Sequence, residues 1–91
     1  MQAGDIPSLP RGVRLHFDAV RDTWVLLAPE RAVTLDGVGH AILSAVDGDR
    51  SFGDIIHDLC AKFDAPKDMV TKDSAQFLDA LRARRFLDVA Q

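Results

Sequence analysis

Few side chains in this 91-residue chain could do chemistry. His16, His40, His57 and Cys60 are its soft metal ligands. His57 and Cys60 stand at i, i+3, one face of a helix, but a structural zinc site takes four ligands, commonly as closely spaced pairs. A surface histidine beside a buried free thiol explains the spacing more simply, because unpaired cysteine is among the most buried residue types. Ser44, Ser51, Ser74 and Cys60 are the hydroxyl and thiol candidates for a nucleophile, and none sits in a glycine-flanked elbow of the G-x-S-x-G kind. The carboxylates are spread along the chain without a distinctive pair. Gly37-x-Gly39 lacks the remainder of any phosphate-binding fingerprint. These residues point to no catalytic site, no metal and no cofactor, and the expectation is a protein that is not an enzyme.

The totals narrow the partners. Hydrophobic content of 47% with 27% charged residues describes an ordinary globular chain of one domain. The net charge of −3 and pI near 5.4 argue against general nucleic-acid binding. Arg82, Arg84 and Arg85 form the one basic cluster. A recognition helix would carry such residues near the start of the second helix of its motif, where this chain has Asp54, His57 and Asp58. A single cysteine allows no internal disulfide and fits a reducing, cytoplasmic setting. No apolar run approaches the ~20 residues of a membrane span, and Met1–Pro10 has neither the basic start nor the apolar block of a signal peptide.

The elements follow from periodicity. Residues 1–12 hold Gly4, Pro7, Pro10 and Gly12 and little that could pack, so a flexible lead-in is expected there, with the domain proper over residues 13–91. Val13–Asp18 alternates apolar and polar, as a strand with one wet face does. Asp22–Ala28 is apolar on both faces and reads as the central strand. Pro29 suits a tight turn. Arg31–Leu35 returns as the third strand. Asp36 is a good N-cap, and Val38, Ala41, Ile42, Ala45 and Val46 mark one helical face, with Gly48 as its C′ residue. Gly37 and Gly39 weaken the first turn and permit close backbone packing. Ser51 caps a second helix with Phe52, Ile55, Ile56, Leu59 and Phe63 buried. Pro66 opens a third, whose apolar positions are Val70, Phe77, Leu78 and Leu81, and Phe86-Leu87 tucks into the core. The order β-β-β-α-α-α predicts an α+β domain, with helices covering one face of a three-stranded antiparallel sheet.

A meander of three strands has two edges. The first strand carries charged or polar groups on its outer face, which discourages pairing with a stranger. The third, Ala32–Leu35, is the smoother edge. It is either covered by a helix of its own or open for strand addition by a peptide, and the residues alone leave both possibilities standing.

The chain also resembles a known family. Pro10-Arg11-Gly12-Val13-Arg14-Leu15, Val20-Arg21-Asp22, Trp24-Val25-Leu26-Leu27-Ala28-Pro29-Glu30, Leu35, Ile42-Leu43, Asp47-Gly48 and Ile55-Ile56 are similar to the pyrroloquinoline quinone (PQQ) biosynthesis protein D family, PqqD. Val70, Asp73, Phe77-Leu78, Leu81 and Phe86-Leu87 continue the match toward the C-terminus. The resemblance implies a winged helix-turn-helix-like domain acting as a peptide chaperone, the RiPP recognition element of ribosomally made, modified peptides. It implies two partners, the precursor peptide PqqA and the radical S-adenosylmethionine (radical SAM) enzyme PqqE, with no nucleic acid and no membrane. Carried onto this chain, the peptide-binding strand is Arg31, Ala32, Val33, Thr34 and Leu35, and the facing helix residues are Val70, Asp73, Gln76, Phe77 and Ala80. Two positions depart from the family pattern. Arg85 stands where many members have Gly, and Gly37-Val38-Gly39 replaces a more helix-prone stretch. The rival expectations are a winged-helix DNA-binding protein and a subunit that stabilises an enzyme without touching its substrate.

Overall fold

The structure is a computed structural model and describes residues 1–90. Its elements are β1 (Ile6–Ser8), β2 (Arg14–Asp18), β3 (Thr23–Ala28), β4 (Arg31–Leu35), α1 (Gly37–Ser44), α2 (Phe52–Phe63), α3 (Lys67–Ala83) and β5 (Asp88–Ala90). The expected antiparallel meander is present, with β3 central and the order β2-β3-β4. Leu15, Leu26 and Val33 lie in one cross-strand row, and Phe17, Trp24 and Leu35 in the next. That face turns toward the helices. Leu26 and Leu35 share one core cluster with Ile42 and Leu43 of α1, Ile55 and Leu59 of α2, and Leu78 and Leu81 of α3. Burying each of these larger side chains contributes roughly 1.5–3 kcal/mol.

The N-terminal segment departs from expectation. β1 pairs antiparallel with β5 as a second, two-stranded sheet, matching Ile6 with Ala90 and Ser8 with Asp88. Pro7 and Asp5 are buried. The Asp5 carbonyl accepts from Phe52 N (2.7 Å) and the Ala3 carbonyl from Gly53 N (2.9 Å), so a segment expected to be a flexible lead-in satisfies open amides at the start of α2. Pairing between sequence ends so distant leaves no local periodicity to read, and three-residue strands are too short to show alternation.

The helix ends are set by local chemistry. The Asp36 carboxylate accepts from Gly39 N at 2.7 Å, and Ser51 Oγ from Asp54 N at 3.2 Å, the two expected N-caps. α1 stops at Ser44, short of Gly48. Ala45 N and Val46 N tighten onto the carbonyls of Ile42 and Leu43, while Asp47 turns its carboxylate onto Asp49 N and Arg50 N, both at 2.9 Å. Gly48 (φ +80°) therefore serves that loop and is not the C′ residue of α1. Phe63 and Val38, expected on buried helix faces, are 45% and 56% exposed. Phe86 and Leu87 do tuck in, at 0% and 2% exposure.

Candidate functional site

The margin of β4 faces no other strand among the described residues. Its hydrogen-bonding phase follows from the turn. Ala28 pairs with Arg31 across the two-residue connection Pro29-Glu30, so this is a hydrogen-bonded pair. By alternation Val33 and Leu35 also bond inward to β3, at Leu26 and Trp24. Ala32 and Thr34 then direct their N–H and C=O groups outward. Their side chains are exposed, while Val33 is half-buried and Leu35 buried on the helix side.

A hollow lies beside this margin, lined by Thr34, Leu35, Asp36 and Phe77. Phe77 comes from the middle of α3 and packs partly against the core cluster. Gly39 lets it approach. A β-carbon there would stand 3.2 Å from the tip of the Phe77 ring and 3.1 Å from Asp36 Oδ1, so the first turn of α1 stays open enough to seat both. The glycine that weakens this helix start is the one that admits the aromatic floor of the hollow. Gly37, by contrast, has nothing near it.

Of the helix residues assigned to the peptide face, Phe77 lines the hollow. Val70 and Asp73, one to two turns earlier on α3, line a separate apolar pocket with Val38, Ile42, Phe63 and Met69. Gln76 and Ala80 are exposed and line neither. At the other end of β4, Arg31 lies over the buried Phe86 ring with its guanidinium carbon 4.2 Å from the centroid, and Arg84 lies 5.2 Å from the same ring. Asp36, Gly39 and Arg84 belong to the surroundings of the margin and were not among the residues assigned from the sequence. Glycine in the first turn of α1 is a sequence signal for the packing around Gly39 and Asp36, and no such signal marks Arg84.

The candidate metal ligands are not gathered. Among the described residues no three His, Cys, Asp or Glu side chains cluster in a way that could hold an ion. His40 stacks on Trp24 (centroids 4.2 Å apart, planes 13° apart), and Phe17 meets Trp24 edge-on at 5.3 Å. Cys60 is half-buried against the core. No helix among the described residues is long and apolar enough to cross a membrane.

The fold and site together define a small α+β domain in which the open margin of β4 is flanked by a hollow lined in part by α3. The family profile described as Coenzyme PQQ synthesis protein D (PqqD) matches residues 23–87. A PqqA binding protein of Rhizobium meliloti (strain 1021) is 43% identical over 91 residues, covering 100% of this chain and 93% of its own. One from Xanthomonas euvesicatoria pv. vesicatoria (strain 85-10) is 44% identical over 81 residues, 89% of this chain and 88% of its own. The solution structure of the PqqD part of Methylobacterium extorquens PqqCD, a stand-alone RiPP recognition element, superposes with a TM-score of 0.82 at 41% identity, covering 96% of this chain and 93% of that one. TbiB1 in complex with the TbiA(beta) leader peptide superposes at 0.76 with 25% identity, covering 89% and 94%. The chain belongs to the PqqD family.

Proposed function

We propose that this protein is a non-enzymatic peptide chaperone of PQQ biosynthesis, which binds the precursor peptide PqqA as an added strand on Arg31–Leu35 and presents it to the radical SAM enzyme PqqE. The observation that carries this reading is the open margin of β4, with Ala32 and Thr34 directed outward beside the Phe77 hollow. The relatives named for PqqA binding and the neighbour solved with a leader peptide support it. Backbone pairing supplies affinity with little demand on sequence, and the hollow supplies selectivity. A guest strand beside β4 places alternate side chains on the helix side, over Leu35 and Phe77. Ordering a flexible peptide costs a few kcal/mol, so a pre-formed floor matters. Short helices beside a sheet also fit a winged helix-turn-helix-like description, on which the peptide would occupy the groove between wing strand and third helix.

Titration of the 15N-labelled domain with synthetic PqqA tests the site. The amides of Ala32 and Thr34 are expected to shift and to gain protection from exchange. Unmoved signals there, with changes elsewhere, would sink strand addition. Presentation is tested separately: PqqE turnover of PqqA should fall when this protein is withheld, and a domain that supports PqqE without binding isolated PqqA would instead be a stabilising subunit.

A further inference from the structure

We propose that the apolar pocket between α1, α2 and the start of α3 is a second peptide subsite, taking one large apolar side chain of the precursor peptide beyond the segment that pairs with β4. The inference rests on the peptide-binding reading above. The pocket holds about 190 Å³ and is lined by Val38, Ile42, Leu59, Phe63, Met69 and Val70 among others. Among the described residues the large apolar side chains that stand exposed are Phe17, Val20, Val38, Phe63 and Met69, and Val38, Phe63 and Met69 ring this one opening, at 56%, 45% and 52% exposure. Leaving such side chains in water is unfavourable, and their convergence on one concave site marks it for an apolar guest. The volume suits a single side chain: an apolar protein cavity of about 150 Å³ holds one benzene, whereas sites for whole small molecules start near ~300 Å³.

Continuity with the β4 margin identifies the guest. Phe77 floors the hollow beside Thr34–Asp36, and Val70 and Asp73 on the same helix line the pocket. From the sheet side, Leu35 ends the strand and Val38, in the first turn of α1, reaches the pocket. A chain leaving the sheet past Asp36 therefore runs between α1 and α3 toward the opening. Phe77 and Val70 are seven residues apart, about 10 Å along a helix, which an extended guest covers in about three residues. The pocket thus reads the peptide about three residues past the one over Phe77. Asp73 at the rim places a carboxylate beside that position, disfavouring an acidic neighbour there.

The test uses the full chain, labelled with 13C at its methionine methyls and with 15N, and synthetic PqqA. The Met69 methyl signal is expected to shift in step with the amides of Ala32 and Thr34. Met69→Gln and Phe63→Gln, at exposed positions that leave the fold intact, are each expected to raise the Kd for PqqA about tenfold by calorimetry. An alanine scan of PqqA should yield one apolar position whose replacement weakens binding to the parent but not to Met69→Gln. A silent Met69 methyl alongside shifting Ala32 and Thr34 amides would overturn the subsite and leave strand addition standing. Unchanged Kd in both variants, with or without an effect on PqqE, would overturn it equally. Absence of any PqqA binding by the parent chain would overturn the underlying reading instead.

Discussion

Arg85 has φ +65°, in the left-handed region that favours glycine. It is the C′ residue of α3: Arg85 N donates to the Arg82 carbonyl (3.0 Å) and Phe86 N to the Leu81 carbonyl (2.9 Å), and Leu81 and Phe86 are both buried. Together these form a Schellman cap with its apolar contact. An L-residue held there costs about 1–2 kcal/mol, so Arg85→Gly is expected to raise the melting temperature by several degrees, as calorimetry will show. The departure from the family's glycine is thus a cost in stability with no bearing on the margin. Asp36→Ala removes the cap on α1 and should lower stability by about 1 kcal/mol. Gly39→Ala gains about 1 kcal/mol of helix propensity but pushes Phe77 outward. Its melting temperature should stay near the parent's while PqqA affinity falls. Asp47 is held below the ordinary carboxylate value of 3.8, first by the Arg50 amide and then by that of Asp49. A depressed folded-state pKa means its stabilising contribution is complete above the unfolded value and is lost as pH falls through the folded one. A carboxyl titration followed by NMR should place its midpoint below 3.8.

At the scale of elements, the phase of β4 separates two substitutions one residue apart. Ala32→Pro deletes an outward N–H, the position where an edge strand tolerates proline. It should leave circular dichroism unchanged and weaken PqqA binding. Val33→Pro deletes a bond to β3 and should destabilise the sheet itself, lowering the denaturation midpoint. Equal effects of the two on binding per folded molecule would show that the guest does not pair with this margin. The sequence located this strand to its residue bounds because Pro29-Glu30 fixes the turn before it and Asp36 caps the helix after it. β1, which belongs to the separate two-stranded sheet, carries no such local mark, because its three residues pair only with β5 at the far end of the chain.

Across the whole molecule, the chain termini form a clasp over the helical layer. β1 lies against β5, and the backbone between Ala3 and Asp5 completes the N-terminus of α2. Removing residues 1–8 would strip Pro7 and both bonds to α2, and is expected to lower the melting temperature well beyond the few degrees of a surface change, as a thermal scan will report. The molecule's charge of −3 predicts no shift of a DNA duplex by the intact protein even at low salt, where nucleic-acid binders are at their tightest.

By itself the sequence determined the meander, the three helices and the edge strand, because each is written in a local period, cap or turn within a few residues. It also carried the family, through blocks such as Trp24–Glu30. The tertiary structure alone decided that Gly39 seats Phe77, and that Val38 and Phe63, read as ordinary members of helix faces, converge with Met69 on one opening. Periodicity tells which side of an element is apolar. Only the packing of several elements against one another decides which of those apolar groups find a neighbour and which are left at the surface for a guest.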